Sequence, residues 1–101
     1  MNRIIIGTTP TIIYTFKTVN VSNLVVAILT IKSGKATLTK TLEDAEVGED
    51  RLSWTLTQEE TLSICDDVAA MMLNWKTQDG TRGASAKTTV VMSDNYVREV
   101  I

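Results

Sequence analysis

The chain has 101 residues, 44% of them hydrophobic and 22% charged, and ten basic against twelve acidic residues give a net charge of −2. This length accommodates one domain with one hydrophobic core. The fractions of hydrophobic and charged residues are those of a globular domain and exclude a disordered chain. The basic residues are scattered singly and the longest apolar run, residues 24–29, is too short to cross a bilayer, so we expect neither a nucleic-acid partner nor a membrane span.

The first part of the chain predicts three strands. A short apolar strand at residues 4–6 is ended by a Gly-Thr-Thr-Pro turn. The second strand alternates, with Ile12, Tyr14 and Phe16 on the core face. A longer third strand covers residues 24–32, and its alternation fixes which side chains face inward.

The middle of the chain predicts a hairpin, a loop and another strand. A turn at residues 33–35 and a strand at 36–42 complete the hairpin with the third strand. Residues 43–50 carry five acids in eight positions and break the alternation, which predicts a solvated loop. Residues 51–57 then alternate again, with Trp54 at the centre of the apolar side.

A capping box predicts one helical turn after this strand. The Thr57 hydroxyl is expected to accept from the amide of Glu60, while that glutamate reaches back to the amide of Thr57. The turn near residues 58–64 is expected to place Leu62, and with it Ile64, beneath the sheets. Asp66-Asp67 then leads into the next strand.

The last third of the chain predicts a central hairpin. Residues 68–76 are apolar on both faces, as in a strand that has neighbours on both sides. The Asp79-Gly80 pair suits a tight reversal with positive φ, and the chain returns at residues 85–92. Residues 96–101 form a short apolar tail.

Seven or eight short strands and one helical turn predict a single all-β domain over residues 1–101. The predicted fold is a two-sheet antiparallel immunoglobulin-like β-sandwich of about seven strands, with a small closed barrel as the alternative. A single cysteine, Cys65, excludes an internal disulfide. Trp54 and Trp75, with Tyr14 and Phe16, must therefore fill the centre by packing alone.

Residue types that carry chemistry are scarce. The sequence has no histidine, so catalytic triads and imidazole bases lack their central residue. The acidic run at 43–50 does not have the spacing of a calcium loop, and a solvated loop is favoured over an ion-binding one. We expect no catalytic residue, no metal and no cofactor, and we predict that the protein is not an enzyme.

The terminal segments are the candidate interaction surface. Residues 4–6 and 97–101 are apolar with little charge, and terminal strands of a small sandwich are often edge strands that pair with another chain. We expect protein partners, including other copies of this chain, to join these edges by strand addition. The candidate surface residues are Ile4, Ile6, Tyr96, Val97 and Ile101.

The order of four segments along the chain is similar to that in a known group of proteins. The segments are T-P-T-I-I-Y-T-F-K, L-T-I-K-S-G-K, L-S-W-T-L-T-Q-E-E-T-L and M-L-N-W-K-T-Q-D-G-T-R. This order resembles small proteins encoded among the virion genes of tailed phages and prophages. It is also similar to the N-terminal immunoglobulin-like domain of phage baseplate upper proteins. The resemblance covers residues 10–91 and implies a structural role in a tail or baseplate, with synthesis in a bacterial cytoplasm and a place in the virion.

Two functional hypotheses follow from the sequence. The first is a non-catalytic structural or interaction module of a phage tail or baseplate. The alternative is a small carbohydrate-binding or ligand-binding β-sandwich, for which an exposed Tyr96 would be the contact residue. Burial of both Trp54 and Trp75 would favour the first hypothesis, and an exposed row of aromatic residues would favour the second.

Overall fold

A computed structural model of the chain describes residues 2–64 and 67–101. Cys65 and the first residue of the predicted Asp66-Asp67 turn lie outside the described residues. The strands are β1 (Asn2–Ile5), β2 (Thr11–Thr15), β3 (Leu24–Ser33), β4 (Ala36–Thr41), β5 (Glu46–Val47), β6 (Arg51–Thr55), β7 (Val68–Thr77), β8 (Arg82–Ala84) and β9 (Thr88–Ser93). An α-helix, α1 (Gln58–Ser63), follows β6, and 3₁₀ turns occupy Val21–Asn23 and Leu42–Asp44.

The strands form two sheets in immunoglobulin-like order. The larger sheet has the order β1-β9-β7-β3-β4, with β8 also paired to β7, and the smaller sheet has the order β2-β6-β5. The strands β2, β3, β4, β5, β6, β7 and β9 correspond, in this order, to the immunoglobulin strands B, C, C′, D, E, F and G. In these letters the larger sheet contains G-F-C-C′ and the smaller sheet reads B-E-D. The predicted all-β, two-sheet immunoglobulin-like sandwich with one short helix is confirmed.

Three details differ from the predicted strands. β1 runs parallel to β9, whereas the other pairings between described strands are antiparallel. The return strand, predicted at residues 85–92, begins earlier as β8 and resumes as β9, because Ser85 interrupts the ladder between them: its amide donates to the Leu73 carbonyl at 2.8 Å and its hydroxyl accepts from the Leu73 amide at 2.9 Å. The acidic run, predicted as a loop, contributes β5 at one sheet edge.

β3 and β7 lie at the centre of the larger sheet, and their buried inward residues are apolar except for Ser33 at the end of β3, whose hydroxyl donates to the Val68 carbonyl at 3.1 Å. Leu29 lies opposite Leu73, and both side chains have no exposed surface. The turn after β3 is possible because Gly34 takes φ of 56°, and the turn after β7 because Gly80 takes φ of 89°. Both predicted turns are therefore confirmed.

The core lies between the two sheets and is closed by α1. The fully buried large side chains include Leu52, Trp54 and Leu56 from the smaller sheet and its continuation, as their alternation predicts. Burial of each such side chain contributes about 1.5–3 kcal/mol to the free energy of unfolding.

The capping box at the start of α1 is confirmed. The Thr57 hydroxyl accepts from the Glu60 amide at 3.2 Å, and the Glu60 carboxylate accepts from the Thr57 amide at 2.9 Å. The residue that the helix buries is Thr61 rather than the predicted Leu62, which is only partly buried, whereas Ile64, directly after the helix, is buried as predicted. Thr61 occupies the buried position because its hydroxyl donates to the Thr8 carbonyl at 2.8 Å and accepts from the Gly7 amide at 2.9 Å. These two hydrogen bonds join α1 to the β1–β2 turn.

Candidate functional site

The two N-terminal residues predicted to lie on the interaction surface have different environments in the structure. Ile4 is partly buried on β1, which is an edge strand of the larger sheet. Ile6 is only 4% exposed and belongs to the core, so its prediction as a surface residue is wrong. The physical reason is that the Ile6 amide donates to the Ser93 carbonyl at 3.0 Å while Asn95 Nδ2 donates to the Ile6 carbonyl at 3.0 Å, which turns the side chain inward.

The C-terminal segment is exposed but is not a strand. Tyr96 is fully exposed, and Val97 and Ile101 are 50% and 92% exposed. The backbone of Ile101 exchanges two hydrogen bonds with the Gln58 amide, at 3.0 and 2.8 Å, which holds the end of the segment near α1. The three residues are therefore accessible, but they do not form the edge strand that the sequence predicts.

The aromatic residues do not form an exposed row. All five lie in the described part of the chain, and Tyr96 is the one that is exposed. Trp54 is 1% exposed and receives the edge of Tyr14, with ring centroids 6.3 Å apart, whereas Trp75 is partly buried against Phe16 at 5.2 Å. Burial raises the pKa of the Tyr14 hydroxyl.

The acidic segment, residues 43–50, lies on the surface at the β5 edge. The amide of Thr41 donates to Asp44 at 3.0 Å, and the hydrogen bonds from Thr41 hold the pKa of that carboxyl below its usual value. Asp50 forms an ion pair with Arg51 at 3.1 Å. Within residues 2–64 and 67–101, no three His, Cys, Asp or Glu side chains are grouped to hold a metal ion.

Among the described strands, none pairs with β2 on the side away from β6. The Phe16 amide donates to the Asp50 carbonyl at 2.7 Å and the Leu56 amide to the Pro10 carbonyl at 2.9 Å, so the even-numbered residues of this strand direct their backbone groups toward β6. The amides and carbonyls of Thr11, Ile13 and Thr15 therefore point to the free side. In an immunoglobulin-like sandwich this side of strand B is covered by strand A, but here the first strand pairs with β9 instead.

A groove of about 370 Å³ runs beside the free edge of β2. Its apolar lining includes Ile4 from β1, Ile12 from β2, Met71 from β7 and Val90 from β9, so it opens between the two sheets. Ile13, on the outer side of the edge, is 55% exposed. The lining also has polar side chains, among them Arg3, Thr11 and Thr88. The edge and the groove together offer backbone hydrogen bonds and a partly apolar depression for an extended chain.

The outer face of the larger sheet is a second uncovered surface, and we call it the cationic face. Val26, Ile28, Val68 and Met72 on β3 and β7 are 37–49% exposed there. The same face carries the exposed cations Arg3, Lys32, Lys76 and Arg82. None of the outward positions of the described strands of this sheet holds an acidic residue.

The sequence pattern that underlies the cationic face also fits a strand with both faces buried. The apolar residues at both parities of residues 68–76 predict a strand buried on both faces, whereas the structure leaves Val68 and Met72 exposed. Alternation cannot distinguish a second core from an uncovered surface, because both require the same residue types. The free edge of β2 has no comparable signal in the sequence, since it depends on where β1 pairs.

Comparisons with known proteins identify no family. No protein-family model and no curated protein matches the sequence. A solved structure of murine CRIg aligns with 92% of this chain and 90% of that chain, at 9% sequence identity and a TM-score of 0.46. Among the described residues, none of the helices has the length and apolar character needed to span a membrane.

Proposed function

We propose that this chain is a non-catalytic interaction module that joins protein subunits by β-strand addition at the free edge of β2. The resemblance of its sequence to virion proteins leads us to place this module in a phage or prophage tail or baseplate. The observation that carries the proposal is the edge of Thr11, Ile13 and Thr15, which no described strand covers, beside a partly apolar groove.

The sequence of β2 supports strand addition because it lacks the features that protect edge strands. Natural edges are blocked by charged residues, by proline within the strand or by very short length. β5 has only two residues, one of them Glu46, and β1 carries Arg3. By contrast, the five residues of β2 contain neither charge nor proline.

The geometry of β2 is compatible with pairing to a second copy of itself. An antiparallel pairing centred on Ile13 places Thr11 opposite Thr15 of the other copy, so no like charges meet across the new ladder. The pairing is isologous and gives a closed two-fold dimer in which two three-stranded sheets become one sheet.

Size-exclusion chromatography with light scattering in 0.5 M NaCl tests the proposal. We expect a dimer of the full chain, and we expect Ile13→Lys to weaken dimerisation by roughly tenfold or more, since two lysines would then face each other at the centre. Thr39→Lys is the matched control, because it places the same charge at an exposed outward position of β4, which belongs to the larger sheet.

Amide hydrogen exchange gives an independent measurement. In the dimer, the amides of Thr11, Ile13 and Thr15 should exchange more slowly than in the Ile13→Lys monomer. A chain that stays monomeric at high concentration, or a dimer that Ile13→Lys does not affect, would show that the edge is not the interface.

A further inference from the structure

Two hollows open on the cationic face, and both combine apolar side chains with cations. The first hollow, of about 430 Å³, has a lining that includes Ala70, Met72, Lys32 and Lys87. The second hollow, of about 230 Å³, has a lining that includes Val26, Ile28, Lys76 and Arg82. Asn74 lines both hollows, so the two adjoin on the same face.

The four cations of the hollows have no anionic partner among the described residues. The ion pairs there use Lys40, Arg51 and Arg98, none of which lines a hollow. Arg82 donates to the side-chain oxygen of Asn74 at 3.4 Å, which is a neutral acceptor. A negatively charged ligand would therefore meet positive charge that the described chain does not neutralise.

A carboxylate beside this face is already engaged. Thr41 is outward on β4, where it pairs with Ile28 of the second hollow. The amide and the hydroxyl of Thr41 donate to Asp44 at 3.0 and 3.2 Å, and these hydrogen bonds hold the pKa of that carboxyl below its ordinary value. Asp44 is therefore ionised and bound to Thr41, and it lines neither hollow.

The shape of the face distinguishes between three classes of anionic partner. A membrane-binding surface inserts apolar side chains among the lipids, whereas the apolar side chains here line depressions. Surfaces that bind single-stranded nucleic acid stack bases on exposed aromatic rings, and Tyr96, the exposed aromatic residue of the described chain, lies outside this face. A protein segment supplies both carboxylates and apolar side chains that enter a depression, so it is the class that fits.

The positions of the hollows define the spacing of the partner's side chains. Met72 lines the first hollow and Lys76 the second, and these residues are four apart on β7. At about 3.3 Å per residue, the hollows are separated by roughly 13 Å. In an extended segment, side chains i and i+4 leave on the same side and span that distance, and side chain i+2 passes over Asn74 between them.

We infer that the cationic face binds an extended acidic segment of a partner protein, with apolar side chains at positions i and i+4 in the two hollows and carboxylates next to the cations. The contact uses the outer face of the larger sheet, so it goes beyond strand addition at the β2 edge and does not depend on it. Each exposed ion pair contributes little by itself, so the apolar side chains are needed for measurable affinity.

Titration of the isotope-labelled chain with a synthetic peptide tests the contact by nuclear magnetic resonance. The peptide E-S-L-S-E-S-L-S-E, with blocked ends, places leucines at i and i+4 and glutamates before, between and after them. At 20 mM NaCl, where the screening length is roughly 20 Å, we expect saturable shifts at the amides of Ala70, Met72, Asn74 and Lys76.

Two control peptides separate the apolar requirement from the charge requirement. The peptide E-S-S-S-E-S-S-S-E lacks the leucines, and E-S-L-S-L-S-E-S-E has the original composition with the leucines at i and i+2. We expect both to bind about tenfold more weakly or worse, because the first fills neither hollow and the second fills only one.

Charge-reversal variants test the protein side of the contact. Lys32→Glu with Lys87→Glu alters the first hollow, and Lys76→Glu with Arg82→Glu alters the second. Each double variant should weaken binding of the original peptide by about tenfold or more, since both cations of one hollow then repel its glutamates.

Lys17→Glu with Arg51→Glu is the matched control for these variants. It makes the same change in net charge at exposed residues that lie after β2 and on β6, outside the cationic face, and it should weaken binding by less than about threefold. A dispersed amide spectrum shows that each variant is folded. The leucine-free peptide tests the same contact with no change in the protein.

Four results would overturn the inference. These are no shifts on the cationic face at about 5 mM peptide, equal affinity for the leucine-free peptide, unchanged affinity in either hollow variant, and tighter binding of phosphatidylserine vesicles or single-stranded DNA to the same residues. Shifts confined to Thr11, Ile13 and Thr15 would instead show the peptide adding to the β2 edge. That outcome would overturn this inference and support strand addition, so the two proposals fail separately.

Discussion

Each end of the sandwich holds one tryptophan, and the two indoles have unlike surroundings. At the end closed by α1, Trp54 is 1% exposed, and its Nε1 donates to the Thr41 carbonyl at 2.9 Å. At the opposite end, near the Asp79-Gly80 turn, Trp75 is only partly buried. Gly83 lies across from it on β8, and a Cβ at that position would lie 2.7 Å from the indole Nε1.

The difference shows that position in a strand does not determine how deeply a residue is buried. Both tryptophans occupy inward positions of alternating strands, and both were expected to fill the core. Trp54 contacts Tyr14 and, through its hydrogen bond to the Thr41 carbonyl, β4. An ion pair between Lys40 of β4 and Glu60 of α1 at 2.6 Å joins those two elements. Trp75 is covered on one side by Phe16 and on the other only by a strand of three residues.

The largest expected effect is the loss of Trp54. Trp54→Ala should lower the free energy of unfolding by about 3–5 kcal/mol, since it removes a fully buried ring and leaves the Thr41 carbonyl unpaired. Trp75→Ala should cost roughly half as much because part of that ring is already in water. Urea unfolding followed by circular dichroism measures both, and Trp54→Phe serves if the alanine variant does not fold. Equal costs would mean that the two ends are equally well packed.

A smaller effect is expected from the threonine that anchors α1. Thr61→Val should cost about 2 kcal/mol, because the hydroxyl of the fully buried Thr61 makes part-buried hydrogen bonds with the Gly7 amide and the Thr8 carbonyl, and both groups lose that partner. Thr61→Ser keeps the hydroxyl and should recover part of the loss. Thr77→Val, at the opposite end, removes hydrogen bonds that are exposed and should cost less than about 1 kcal/mol. A Thr77 variant as unstable as the Thr61 variant would contradict this ranking.

The smallest expected effect is a dependence on pH. Partial burial raises the pKa of Glu60, but the hydrogen bonds from Lys40 and Thr57 outweigh it, and the pKa is lowered from its ordinary value of 4.5. Because the folded pKa is lowered, the stabilisation is fully present above pH 4.5 and is lost as the pH falls through the folded value.

Lys40→Met should therefore lower stability by about 1 kcal/mol at neutral pH and flatten the loss below the ordinary pKa. Lys76→Met, an exposed lysine beside Trp75, is the matched control and should leave the acid profile unchanged. Urea midpoints measured from pH 3 to pH 7 test both variants, and parallel profiles for the two would contradict the assignment.

The sequence by itself determined the local structure of this protein. Alternation located the strands around Ile12, Leu29 and Trp54, and the Thr57–Glu60 capping box located the helix. The turn residues Gly34 and Gly80 were identifiable because only glycine adopts positive φ there at low cost. These features depend on residues close together in the chain, so a single sequence contains the information.

Only the tertiary structure decided which strands are neighbours and which surfaces remain open. Pairing of β1 with β9 joins residues at opposite ends of the chain, and it leaves the edge of β2 free. The same long-range packing buries Ile6, selects Thr61 over Leu62, and leaves Val68 and Met72 uncovered on the cationic face. Alternation with a period of two residues predicts the face of the strand on which a side chain lies. Whether that face is covered depends on residues from a distant part of the chain.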